Sequence, residues 1–259
     1  MTVLTKRRKF VLVAVILALG ILVTQLVQVS LRYQALAVLT FLTFGLSAWS
    51  LFDDLNGVEW LTVLTLPVLY PLAVGLFYFL LPERFLSRVF ILGLFGVGMY
   101  ALLLTANIFS VAAGKTIQLL RTAHAVGFLM TLVVAFFLYD TILSFRLPFW
   151  ANFLLVFLVS WMLAAQFLWS VELTERSISN RVMAFASLIA MTIAEFVWML
   201  SFWPVTIAVG SVFLVTSLYV ALGISQQHFV GRLFRRTLYE YIGFGMVALG
   251  TVVFLTKWG

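Results

Sequence analysis

The chain has 259 residues, of which 64% are hydrophobic and only 10% charged. A water-facing domain usually carries about 25% charged residues, so lipid is the expected solvent for most of this surface. The net charge of +7 comes from 16 Lys and Arg against 9 Asp and Glu; the bases sit at the ends of apolar runs, which points to membrane topology and anionic headgroups, with no nucleic-acid partner expected.

There is no cysteine. That excludes disulfides, thiolate metal sites, iron–sulfur clusters and thiol catalysis. With two histidines and few carboxylates inside the apolar runs, neither a metal site nor a cofactor is expected.

Read in order, the chain predicts an all-α integral membrane protein, a polytopic bundle of about nine transmembrane helices forming one membrane domain. Each apolar run is roughly 20 residues, the length a hydrocarbon core of about 30 Å requires. In lipid the backbone must satisfy its own hydrogen bonds, which selects helices. The expected spans are 10–30, 33–52, 60–81, 88–109, 123–146, 149–171, 182–202, 204–223 and 238–256. The first follows Lys6, Arg7, Arg8 and Lys9 and reads as an uncleaved span with these bases in the cytoplasm.

The loops set the orientation. With the N-terminus cytoplasmic, the inner segments collect Lys6 to Lys9, Lys115, Arg121, Arg176, Arg181, Arg232, Arg235 and Arg236. The outer segments hold Arg32, Arg84, Arg88, Arg146 and Lys257. The bias fits the positive-inside rule. One inner loop dissents: residues 53–59, DDLNGVE, carry three acids and no base. Trp49, Trp60, Trp150, Trp169, Trp203 and Trp258 fall near span ends, as an aromatic belt does. A bacterial cytoplasmic membrane is the expected location.

Two carboxylates inside spans are the first candidates for chemistry. A carboxylate at a span centre costs about 2.5–3.5 kcal/mol on insertion scales, so it normally faces a bundle interior or a pathway. Asp140 and Glu195 fall at similar expected depths and could share a proton- or ligand-binding cavity. The bland alternatives are local: Asp140 pairs with Arg146, and Glu195 with a neighbouring hydroxyl or amide. Thr192, Trp198 and Phe202 share the Glu195 helix face, while Ala186, Ala190 and Ala194 make a small-residue ridge for close helix approach. His124 lies about 160° around the helix from Asp140, which argues against a relay between them. It belongs instead to an inner-interface polar cluster with Asn107, Lys115 and Arg121, competent for an anion or headgroup, or ordinary snorkelling. Arg232, Arg235 and Arg236, in the apolar–basic segment 228–236, are candidate contacts for anionic lipid at the cytoplasmic face.

Pro67 and Pro71 share one face of the third span and suggest a kink. Asn152 and Gln166, on one face of the sixth, read as hydrogen-bonding glue. Gly93, Gly96, Gly98, Gly243, Gly245 and Gly250 lie within spans and read as close packing. No nucleophile elbow, zinc-protease or phosphate-loop motif occurs. Three functional readings stay open: a non-enzymatic small-molecule, ion or lipid binder or transporter with an intramembrane acidic site; a structural or assembly subunit with a membrane-protein partner; and an intramembrane enzyme on lipid-linked substrates.

Overall fold

A computed structural model of the chain describes residues 5–82, 85–112, 119–173 and 177–256. Arg84, Lys115, Arg176, Lys257 and Trp258, used in the topology reading, lie outside the described residues. The elements are α1 (Lys6–Leu26), a short 3-10 turn (Val29–Leu31), α2 (Arg32–Leu51), α3 (Glu59–Tyr78), α4 (Phe85–Ala112), α5 (Leu120–Ser144), α6 (Phe149–Glu172), α7 (Asn180–Leu200), α8 (Ile207–Phe229) and α9 (Arg235–Leu255). Among the described residues these nine helices are long and apolar enough to cross a membrane, and no strand occurs. The protein is an all-helical polytopic bundle.

The helices depart from the expected spans where polar residues prove helical. α1 begins at Lys6, because Lys and Arg are good helix formers whose long stems reach from a helix end to the headgroups. α8 begins at Ile207, after Pro204 and the extended Thr206, and runs on through Ser225 to Phe229. It then stops in a Schellman turn: Gly231 takes φ +71, its N–H donates to His228 O at 3.2 Å, and Arg232 N–H donates to Gln227 O at 2.8 Å. The basic segment 228–236 is therefore a helix end, a turn and the start of α9.

The chain divides into two compact units, with the division after Met130, inside α5. The first comprises α1 to α4 and the start of α5, with the segment Leu173–Ser177; the second comprises the rest of α5 and α6 to α9.

In the first unit α3 is the most enclosed helix. Pro67 and Pro71 are buried within it and the helix continues through both. Tyr70, between them, stacks on Phe95 at 5.2 Å and donates to Leu94 O at 3.2 Å. Its hydroxyl occupies the notch at Gly98, where an added Cβ would collide with it. α1 and α2 form an antiparallel hairpin, which returns the end of α2 to the start of α1. Lys6 Nζ bridges both carboxylate oxygens of Asp54 at 2.7 Å, and Lys9 lies over the Trp49 ring at 5.3 Å. The acidic 53–59 loop thus meets the basic cluster in the first turn of α1.

In the second unit α6 and α7 pack most extensively. Ala186, Ala190 and Ala194 are fully buried, as small residues must be where helices approach closely. Tyr139, also fully buried, shares a 2.7 Å hydrogen bond with Ser160. α9 lies against α8, where Tyr241 fills the space beside Gly223.

Candidate polar pocket at the α5–α6 and α7–α8 turns

Two tight turns of the second unit line a half-open pocket of about 640 Å³. The first joins α5 to α6. α5 unwinds at its end: Phe145 N–H still reaches Thr141 O, and Arg146 N–H closes on Leu143 O, both at 3.2 Å. Arg146 takes φ +49, a left-handed conformation uncommon outside glycine. Leu147 precedes Pro148, and proline disfavours helix in the residue before it. The Pro148 carbonyl then accepts from Ala151 and Asn152 N–H at 2.9 and 3.1 Å and starts α6.

The second turn joins α7 to α8. α7 ends at Leu200, and after the turn that follows it Val205 N–H closes on Trp203 O at 2.7 Å across Pro204. Thr206 is the N-cap of α8, with extended backbone angles and no side-chain capping bond. The first N–H groups of a helix have no intrahelical partner and carry its positive dipole end. Thr206, Ile207 and Gly210 bring that end to the pocket wall.

The remaining polar lining is Arg146, Asn152 and Ser201, with the Trp203 indole. Among the described residues no acidic side chain lines the pocket. Asn152 is 6% exposed; its Nδ2 donates to Leu147 O at 3.2 Å and its Oδ1 has no partner. Ser201 Oγ donates to Val197 O at 2.8 Å. Phe149 and Phe202 contribute exposed apolar surface.

The carboxylates of the sequence reading separate. Asp140, half-buried near the end of α5, accepts a 3.0 Å hydrogen bond from Ser211 Oγ, and no ion pair joins it to Arg146. Glu195 is not turned into the bundle interior: it lies on the exposed face of α7 without a partner among the described residues. The alanine ridge explains the difference. It fixes the buried face of α7, and Glu195 falls outside that face. α7 also ends at Leu200, so Glu195 is about 7 Å from the helix end at 1.5 Å per residue, within snorkelling reach of headgroups. Thr192 bonds back to Leu188 O at 3.0 Å, and Trp198 packs edge-on to Phe149 and Phe153 at 4.7 and 5.5 Å. Neither Asp140 nor Glu195 lines the pocket.

The inner-interface group is looser than expected. His124 packs on Phe109 at 5.4 Å, Asn107 Oδ1 is buried without a partner, and Arg121 is exposed. Lys115 lies outside the described residues. Of the three arginines, Arg236 pairs with Glu240 at 3.2 Å, while Arg232 and Arg235 are exposed. Sequence reasoning had Asn152 as glue and Arg146 as a local alternative partner for Asp140. The available signal was the pair of short proline-bearing turns, FRLPFW and FWPVT, each with polar and aromatic residues.

Helices and turns together define a polytopic helical membrane protein with a polar pocket at the end of one helical unit. The chain belongs to the family described as Protein of unknown function (DUF5656), whose model matches residues 10–255. No curated protein and no solved structure matches the chain.

Proposed function

We propose that this is a non-enzymatic membrane protein that holds the polar end of an amphiphile in the pocket between the α5–α6 and α7–α8 turns. The observation that carries the reading is the pocket itself: about 640 Å³, with polar groups inside and exposed aromatic surface at Phe149 and Phe202. Binding pockets combine apolar walls with a few fixed polar groups in this way. The N-terminus is taken as cytoplasmic and the membrane as the bacterial inner membrane, which puts both turns on the outer side. Lys6 with Asp54 puts the one dissenting loop on the same side as the basic cluster, as that orientation requires. Arg232 and Arg235 remain candidate headgroup contacts at the inner side.

Retention of amphiphile by the detergent-purified chain tests the reading, measured by native mass spectrometry. The wild type should keep about one tightly held amphiphile, and Thr206→Trp, which fills the pocket from its wall, should lose it. Equal retention by both proteins would remove the pocket from the account.

An assembly subunit is the second reading, favoured by one observation. Glu195 and Trp198 share an exposed face of α7, and a carboxylate in a lipid-facing position is relieved by a partner helix. Stoichiometric copurification of a second membrane protein, lost in Glu195→Leu, would support it over ligand binding.

A further inference from the structure

The polar atoms of the pocket are specific about what can fill it, on the reading that it holds an amphiphile. We infer that it takes a phosphodiester that also carries a hydrogen-bond donor, a hydroxyl or an ammonium. The negative oxygens go to Arg146 and the α8 N-terminus, and the donor goes to Asn152 Oδ1.

Three observations fix the anionic part. Arg146 lines the pocket without an ion pair among the described residues. The N-terminus of a 23-residue helix reaches the same wall, and its N-cap Thr206 leaves its side chain uncommitted to capping. No carboxylate competes among the lining residues. A guanidinium together with free helix N–H groups is an established way to bind phosphate oxygens.

Asn152 supplies the second requirement. Its Nδ2 is committed to Leu147 O, which fixes the amide orientation and leaves the buried Oδ1 as an acceptor. A buried acceptor left without a donor costs about 1–3 kcal/mol. A fully ionised phosphate offers only acceptors. A ligand that brings its own O–H or N–H near the phosphate supplies that donor.

The single cation sets the charge: Arg146 is the one base among the described lining residues. A lone guanidinium neutralises a monoanion and leaves a dianion half-compensated. A phosphodiester is a monoanion and a phosphomonoester approaches a dianion, so the diester fits better.

This chemistry has two sources, a lipid headgroup or a free glycerophosphodiester, and one experiment separates them. Four probes are titrated onto the delipidated full chain in detergent: phosphatidylglycerol, phosphatidylmethanol (a diester without the donor), diacylglycerol with the same chains, and deacylated glycerophosphoglycerol. Phosphatidylglycerol should bind about tenfold or more tightly than diacylglycerol, and severalfold more tightly than phosphatidylmethanol. Arg146→Gln should remove the advantage over diacylglycerol, Arg146→Lys should restore part of it, and thermal unfolding should stay unchanged in both. Diacylglycerol binding as tightly as phosphatidylglycerol would overturn the phosphodiester assignment while leaving an amphiphile pocket. Phosphatidylmethanol matching phosphatidylglycerol would overturn the role of Asn152. Glycerophosphoglycerol binding as tightly as the intact lipid would support the diester chemistry and overturn the amphiphile reading. Binding of none of the four would overturn the diester assignment, and retention of some other amphiphile by the purified protein would keep the broader reading separate.

Discussion

The charged ends of the two units treat their polar groups differently. Around α1 and α2, Lys6, Lys9, Asp54 and Glu59 close on protein partners, while Arg7, Arg8 and Asp53 are exposed and have none among the described residues. Lys6 bridges Asp54 at 2.7 Å, Lys9 covers Trp49, and Glu59, 2% exposed, accepts from Asn56 N–H at 3.0 Å. At the α5–α6 and α7–α8 turns, Arg146 has no counter-ion among the described residues and Asn152 Oδ1 has no donor, and both line a pocket. A polar group closed on its own chain stabilises the fold. On the proposed reading, the groups left open on the pocket are matched by a ligand.

That contrast can be broken from either side. The largest effect on stability is expected at Glu59. Glu59→Ala strands the Asn56 N–H and removes an acid from the first turn of α3, a loss of about 1–3 kcal/mol. Thermal unfolding in detergent should show it, with lipid retention unchanged; a selective loss of lipid instead would make the first unit part of the binding machinery. Arg146→Gln should do the reverse, weakening phosphodiester binding about tenfold or more at constant stability. Asp54→Asn should cost less than about 1 kcal/mol, because Lys6 is half exposed and surface pairs contribute little. A larger drop on unfolding would mean that the pair is a keystone of the α1–α2 hairpin. The smallest effect is expected at Glu195. Glu195→Gln should leave stability within about 0.5 kcal/mol and leave ligand retention as in the wild type. Abolished binding would return the site to the acidic residue that the sequence singles out.

Element type and the approximate position of every helix were legible, because a run of about 20 apolar residues has few alternatives in lipid. Close packing was legible in part: Gly98 lies under Tyr70 and the alanine ridge of α7 is buried, but Gly93, Gly243 and Gly250, read as packing glycines, have open space where a Cβ would stand. Partnerships were not. Lys6 and Asp54 are 48 residues apart, and Asp140 and Ser211 are 71 apart; antiparallel return of the helices brings each pair together, and local spacing carries no trace of it. The burial cost of a carboxylate says that Glu195 must be relieved, without saying how. The rotational phase of α7 and its end before Pro204 decide that, and both depend on packing. The pocket escaped because its walls come from two turns over fifty residues apart, with Asn152 on the helix that follows one of them.

The most direct test of the central claim is an experimental structure of the full chain in a nanodisc containing phosphatidylglycerol, at a resolution that separates headgroups from waters. The account predicts an ordered phosphodiester in the pocket, with its oxygens within hydrogen-bond distance of Arg146 and the first N–H groups of α8, and its hydroxyl on Asn152 Oδ1. A pocket filled by acyl chain or water alone, with Arg146 folded back onto Asp140 and a water donating to Asn152, would contradict it.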